Sequence, residues 1–217
     1  MHIPPAFAQK DNQELIRAIT QFPFATLVAQ LASPAGGASL LDAHHLPFNY
    51  CNDGDGPVLQ AHVGKANPLW QQLPEGSEAL TVFNGPHHYI SPNYYPTKRE
   101  HGRAVPTWNY VAVHVWGNIR YVHDPDWLAK VVGQMTAEQE SSQATPWSLS
   151  DAPAEYIERM VASIVGVEIR ITSMQGQWKL SQNQPKENIA GVIEGLNETG
   201  CERHQEMARW ISAAQRD

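Results

Sequence analysis

The stretch Val111-Ala-Val-His-Val-Trp116 decides the fold class of this 217-residue chain. Valine occupies every second position, and such alternation is typical of a β-strand with one buried face. Gly117 breaks the pattern and residues 119–122 resume it, which predicts a bulge inside a longer strand region. The centre of the chain is therefore expected to form sheet.

Further strands are predicted on both sides of this stretch, each bounded by turn signals. They cover residues 24–30, 40–50, 58–63, 79–83 and 167–171, with 178–180 following a turn at Gly176. Residues 33–39 are expected to form a hairpin loop. Residues 92–105 form a connection too long for a passive turn, and we interpret it as a binding loop.

Helices are predicted between the strands and in the tail. Asp11 caps the first helix, and Pro23 stops it after apolar residues at helical spacing. Asn67-Pro68 and Asp124-Pro125 begin two more, because proline suits the first helical position. Asp151 is expected to cap a fourth, and the tail continues as helix. The fold class is therefore mainly β (α+β), a β-barrel with flanking helices.

Charge and composition narrow the classes of function. The chain has 15 basic and 22 acidic residues, a net charge of -7, which disfavours a broad phosphate-neutralising surface for DNA. No apolar run is long enough to span a membrane. Cys51 and Cys201 cannot build a disulfide framework, and the first residues lack the features of a signal peptide, so we expect a cytoplasmic protein.

No familiar catalytic signature occurs, and the informative features are polar and aromatic clusters at strand ends. Three of them, Tyr89-Ile-Ser-Pro92, Val105-Pro-Thr-Trp-Asn-Tyr-Val-Ala-Val-His114 and Trp178-Lys-Leu-Ser-Gln-Asn183, are characteristic of one family. The chain resembles the PaiB family of FMN-binding negative transcriptional regulators over nearly its whole length. The family is similar to the pyridoxamine-phosphate-oxidase split β-barrels, which are dimers with FMN at the subunit interface.

The resemblance implies an FMN-binding split β-barrel with flanking helices, working as a homodimer. Residues 1–197 are expected to form the FMN-binding domain and residues 198–217 a helical extension of unassigned role. Gly64-Lys65 lies between a strand and the helix start at Asn67-Pro68, where a cation and free N–H groups suit the FMN phosphate. A surface lysine beside an ordinary cap is the alternative interpretation.

Other candidate contacts lie on the later clusters. Thr107, Trp108 and Asn109 place a hydroxyl, a ring and an amide at the start of a strand, which suits a flavin ring. Packing roles are equally open for them, as they are for Tyr89 and Ser91. Two further candidates lie near the chain's last strand. Lys179 is interpreted as a cation for the ring's N1/O2 edge, with phosphate binding or simple solvation as alternatives, and Gln182 as a donor to a ring carbonyl.

The histidines complete the set of candidate cofactor contacts. His44, His45 and His62 are included, although His44 and His45 point to opposite faces of a strand and cannot chelate together easily. A metal site built from His62 and one member of each adjacent pair, His44-His45 and His87-His88, is the less favoured alternative, and a haem-binding split barrel is another. Buried or hydrogen-bonded histidines are the plainest interpretation.

Two classes of function compete at this point. One is a PaiB-type regulator or flavin redox sensor, with FMN as cofactor and only weak support for direct DNA binding, because no basic recognition helix is apparent. The other is an FMN-dependent oxidoreductase acting on a small molecule. A binding module without turnover is a third possibility, since no residue is a clear acid or base.

Overall fold

The computed structural model describes residues 1–31, 40–52 and 54–215. Eight strands are present in that part of the chain: β1 (Ala8–Gln9), β2 (Phe24–Leu31), β3 (Leu40–Pro47), β4 (Asn49–Asn52), β5 (Pro57–Gly64), β6 (Glu78–Ile90), β7 (Thr107–Val122) and β8 (Ile164–Lys179). The predicted hairpin loop at 33–39 lies outside the described residues. Sheet therefore dominates the centre of the chain, as the alternation at 111–116 predicts.

The strands join in one sheet in the order β3-β2-β6-β7-β8-β5-β4, with β1 paired to β8. The register of β2 and β3 is antiparallel, with Leu27 opposite His44 and Thr26 opposite His45. Strands β5 and β8 are also antiparallel, and His62 faces Gly166 across them. Strand β3 stands at one end of this order and is therefore an edge strand.

Seven helices are present in the described residues: α1 (Asn12–Gln21), α2 (Leu69–Gln72), α3 (Lys98–His101), α4 (Pro125–Glu140), α5 (Ala154–Val161), α6 (Lys186–Glu198) and α7 (Glu202–Ala213). Asp11 caps α1 as predicted, since its Oδ1 accepts from the backbone N–H of Gln13 at 2.8 Å. Asp124 caps α4 in the same way, accepting from Asp126 at 3.1 Å. Local polar groups therefore begin the two predicted helices where the sequence places them.

Two compact units divide the chain. The first unit contains residues 1–22, 83–114 and 175–217, and the second contains 23–82 and 115–174. The first unit buries Leu15, Phe83 and Leu196, and the second buries Leu27 and Leu59. Helix α7 packs against α6 within the first unit. Whether residues 198–217 act as a separate extension stays a prediction.

Helix α6 meets the loop before α3 through two glycines. A Cβ at Gly195 would lie 2.3 Å from the Cδ1 atom of Tyr94, and a Cβ at Gly191 would lie 2.2 Å from the backbone oxygen of Tyr94. Neither distance is compatible with a side chain at these positions while Tyr94 stays in place. The two glycines, one helical turn apart, form a flat surface against which Tyr94 lies.

The strands are longer than the sequence predicts, and one expected interruption is absent. Strand β8 runs straight through Gly176, where a turn was expected, because this glycine makes room for α1: a Cβ there would lie 2.2 Å from the Leu15 side chain. Strand β7 likewise continues through Gly117, whose missing side chain admits the Arg170 carbonyl at 2.4 Å from the Cβ position. Both glycines serve close packing.

Three other boundaries differ from expectation. The predicted strand at 40–50 is divided at Phe48, whose N–H donates to the Pro23 carbonyl at 2.9 Å. Asp151 does not cap α5, because it closes a short 3-10 turn by accepting from the Ser148 N–H at 2.7 Å, and α5 begins at Ala154. The expected binding loop at 92–105 contains a 3-10 turn at Pro92–Tyr94 and helix α3.

Candidate functional site

The start of β7 and the end of β8 are linked by a lysine in the first unit. The Lys179 ammonium donates to the Thr107 hydroxyl oxygen at 2.7 Å, and both side chains are partly buried. In the part of the chain that the structure describes, no carboxylate forms an ion pair with Lys179. A partly buried cation held by a neutral hydroxyl favours an anionic or strongly hydrogen-bonding ligand.

A second hydrogen bond joins β7 to the residues that follow β8, two residues further along β7 and on the same face as Thr107. Asn109 is fully buried, and its amide donates to the Ser181 hydroxyl at 2.8 Å. Ser181 adopts a left-handed backbone conformation with φ of 66°, which is uncommon for a residue with a side chain. The carbonyl oxygen of the Asn109 amide is buried and has no hydrogen-bond partner. Asn109 thus fixes the turn that follows Lys179, and its predicted contact with a flavin stays a prediction.

Two other predicted contacts are engaged with the backbone. The amide of Gln182 donates to the Trp178 carbonyl at 2.6 Å and accepts from the Leu180 N–H at 2.8 Å, so it closes the turn after β8. The hydroxyl oxygen of Ser91 accepts from the Asn93 N–H at 3.2 Å and begins the 3-10 turn. Both side chains have a local structural role here.

Trp108 faces away from its neighbours Thr107 and Asn109, because alternate residues of a strand point to opposite sides. It meets Tyr89 edge to face at 6.1 Å between ring centroids. The two side chains are exposed by 53% and 44% respectively, and they line a cavity of about 420 Å³. The sequence analysis interpreted Thr107, Trp108 and Asn109 as one group of flavin contacts, whereas the structure places the Trp108 ring against Tyr89.

This cavity, here called the aromatic pocket, lies within the first unit and is bounded by Phe22, Tyr89, His88, Trp108 and His204. Helix α7 supplies His204, which the sequence analysis did not single out. A histidine in a polar helical tail carries no local signal of a site, and only the packing of α7 brings it to β6. The pocket has the size of a small-ligand site.

Lys65 lies in the second unit at the end of β5. Its N–H donates to the Ser163 carbonyl at 2.9 Å, and its carbonyl accepts from the Trp70 indole at 3.1 Å, so the backbone is fixed while the side chain is exposed. Helix α2 is a single turn, and its Leu69 N–H is already bonded to the Asn67 side chain at 2.9 Å. The helix terminus expected here is therefore not free to bind a phosphate, although the cation is.

His44 and His45 point to opposite sides of β3, as expected. The Nε2 atom of His44 lies 3.5 Å from the Asp42 carboxylate. The Nδ1 atom of His45 lies 3.1 Å from the Thr26 hydroxyl, and its ring stacks on Phe24 at 6.4 Å. His45 is thus bonded locally within the second unit, whereas the buried Nε2 atom of His44 makes no hydrogen bond among the described residues beyond that approach to Asp42.

His62 has a different environment in the second unit. It lines a cavity of about 290 Å³ between Phe48 and Met135 of α4. Its Nδ1 atom is buried without a hydrogen-bond partner, and burial lowers the pKa of the ring. A neutral histidine is therefore expected here at pH 7. Among the described residues, no group of three or more metal-ligating side chains is close enough to hold a metal ion.

The comparisons with known proteins give a consistent result. A family model described as "Putative FMN-binding domain" matches residues 1–173. A protein of Emericella nidulans is 32% identical over 234 residues, covering 93% of this chain and 92% of its own. Protease synthase and sporulation protein PAI 2 of Bacillus subtilis is 30% identical over 209 residues, covering 96% and 95%.

Among solved structures, the FAD and haem binding protein of Mycobacterium smegmatis superposes with a TM-score of 0.53 at 13% identity, covering 84% of this chain and 78% of its own. At that identity the likeness bears on the fold alone. It agrees with the strand order, and the fold is a split β-barrel with flanking helices. No helix in the described residues is long and apolar enough to cross a membrane.

Proposed function

We propose that this chain binds FMN and uses Lys179 and Thr107 to hold it. The chain belongs to the family of FMN-binding domains, whose model matches residues 1–173. The observation that carries the proposal is the Lys179 ammonium, partly buried and bonded only to a hydroxyl among the described side chains. Bringing such a cation out of water is costly unless an opposite charge approaches it.

The donor set fits a flavin. An ammonium and a hydroxyl can serve the N1/O2 edge of the isoalloxazine, which gains negative charge on reduction. Ser181 and Asn109 fix the turn that follows Lys179 and so hold the end of β8 in position. When bound, FMN would supply the redox chemistry, and the protein residues would orient it and adjust its potential.

The first test is a titration with FMN and with riboflavin. Lys179→Ala should weaken FMN by roughly ten- to a hundredfold, the range of a hydrogen bond to a charged group. If Lys179 serves the ring, riboflavin should lose a similar factor, and the reduction potential of bound FMN should fall. Lys186→Ala, which removes an exposed lysine from the same unit, is the matched control.

Lys65 is the candidate phosphate contact, and it gives the opposite expectation. Lys65→Ala should weaken FMN but leave riboflavin nearly unchanged, since riboflavin lacks the phosphate. If Lys179→Ala abolishes only the difference in affinity between FMN and riboflavin, then Lys179 binds the phosphate and the roles assigned to Lys179 and Lys65 are reversed. Should neither lysine affect FMN, the proposal is wrong and the flavin binds elsewhere.

A regulatory role is the second candidate function. It is favoured by the sequence similarity to the Bacillus subtilis protein, which extends over nearly the whole chain. We propose that any regulation acts through flavin or redox state, in a cytoplasmic homodimer, with DNA contacted weakly if at all. With a net charge of -7, the purified protein should bind its own promoter DNA weakly at physiological salt and with a shallow salt dependence. Nanomolar, sequence-specific binding in a mobility-shift assay would contradict this expectation and would support direct repression through DNA binding.

A further inference from the structure

The aromatic pocket has a polar side that the FMN proposal does not use. His88 of β6 and His204 of α7 meet edge to face at 4.0 Å between ring centroids. Arg203 and Glu206 also line the pocket from α7 and bring opposite charges to it. While the two imidazoles are neutral, the pocket wall has no net charge, which favours an uncharged ligand.

The hydrogen bonds assign the tautomer of both rings. The Thr199 hydroxyl donates its only proton to the Leu196 carbonyl at 2.8 Å, so His204 Nδ1, 2.8 Å from the same oxygen, must be the donor. His88 Nδ1 lies against the Tyr89 carbonyl, which can only accept. In its neutral form, each ring therefore carries its proton on Nδ1 and presents Nε2 as an acceptor.

Neither Nε2 atom has a hydrogen-bond partner in the part of the chain that the structure describes. Burial, together with the nearby His88 and Arg203, lowers the pKa of His204 and keeps its ring neutral. The pocket is also lined by two exposed aromatic rings, those of Trp108 and Tyr89. Stacking surface and hydrogen-bond acceptors therefore occur together in one cavity.

From this arrangement we infer that the aromatic pocket is a binding site for an uncharged aromatic ring that carries an O–H or N–H donor, a phenol being the simplest case. The ring packs on Trp108 and Tyr89, and the donor bonds to Nε2 of His204, which α7 brings to the same cavity. The site is separate from the Thr107–Lys179 pair, because Trp108 points to the opposite side of β7. It does not depend on FMN being the cofactor.

The test compares two probes that differ in one hydrogen-bond donor. 2-Naphthol should bind the full-length protein at pH 7 up to about tenfold more tightly than 2-methoxynaphthalene, the range of one neutral hydrogen bond. Fluorescence titration measures both. Because this comparison uses the unaltered protein, it requires no variant to fold. Equal affinities, or no binding of either probe, would overturn the inference.

Variants then locate the donor's partner. The double change His88→Phe and His204→Phe keeps two rings but removes both acceptors, and it should make the two probes bind equally. Trp108→Ala should weaken both probes by the same factor and keep their ratio. A preference for 2-naphthol that survives the double change would overturn the assignment, provided that the denaturation midpoint shows a folded protein.

Competition with FMN separates this inference from the proposed function. 2-Naphthol should leave FMN affinity unchanged, and the double histidine change should do the same. If 2-naphthol displaces FMN, the pocket is the flavin site and a separate site is excluded. If Lys179→Ala does not affect FMN while the naphthol preference persists, the FMN assignment is wrong and the pocket assignment holds.

Discussion

At the scale of single residues, one buried carboxylate in the second unit has two polar partners from different strands. Glu168 of β8 is only 2% exposed. It accepts from the Gln60 amide at 3.0 Å and from the Arg120 guanidinium at 2.6 and 3.1 Å. A buried charge is tolerated only when it is paired and hydrogen-bonded in this way.

Removing the arginine should therefore destabilise the protein. Arg120→Ala leaves Glu168 buried with only Gln60, and we expect a loss of about 2 kcal/mol in the free energy of unfolding, less than for a fully buried pair because Arg120 is half exposed. Urea denaturation measures it. Glu14→Gln, which breaks the exposed pair with Arg17, should cost under about 1 kcal/mol. Equal losses for the two changes would mean that burial of Glu168 is unimportant.

At the scale of elements, β5 presents a histidine to the cavity beside α4. Burial lowers the pKa of His62 in the folded chain below the ordinary value of 6.5. At pH values between the lowered pKa and 6.5, the His62 ring is therefore protonated more readily in the unfolded chain than in the folded one. The stability that the neutral ring contributes is complete above that window and is lost as the pH falls through it. The cavity contact between β5 and α4 is therefore acid-sensitive.

The prediction is that the free energy of unfolding falls between pH 7 and pH 5, and that it falls less in His62→Gln. Urea denaturation at the two pH values gives both differences. His2→Gln, which removes an exposed histidine near the chain start, is the control and should match the unchanged protein. An identical pH dependence in all three proteins would contradict the assignment to His62.

The sequence predicted which elements exist better than it predicted where they end. Helix caps are local, so Asp11 and Asp124 could be identified from neighbouring residues alone. Gly176 was misinterpreted as a turn because its reason lies in a distant segment, α1, which approaches the backbone. The same limit applies to the candidate sites: Lys179 and Thr107 could be singled out from the sequence, whereas the position of His204 depends on how α7 packs.

At the scale of the whole molecule, β3 and the start of β2 leave apolar side chains uncovered in the second unit. Phe24, Leu40 and Leu41 are 66%, 61% and 77% exposed. Because β3 also lies at one end of the strand order among the described residues, we propose this surface as the place where a second chain packs. Homodimerisation, which the family resemblance implies, has its best-supported surface here.

Light scattering should accordingly give twice the chain mass of 24.1 kDa at micromolar concentration. Leu41→Glu places a charge on the apolar edge and should shift the protein towards the monomer. Tyr156→Glu adds the same charge at an exposed aromatic residue elsewhere in the second unit, on α5, and this variant should remain dimeric. A stable monomer in the unaltered protein would remove the dimer proposal.

The contact between α6 and Tyr94 restricts which sequences this fold can accept over evolutionary time. At position 195 the obstacle is a side chain, so alanine becomes admissible there once residue 94 has become smaller, and substitutions at the two positions should arise together. At position 191 the obstacle is the peptide backbone, which no substitution at residue 94 shortens. In an alignment of descendants, position 191 should stay glycine, whereas positions 94 and 195 should covary.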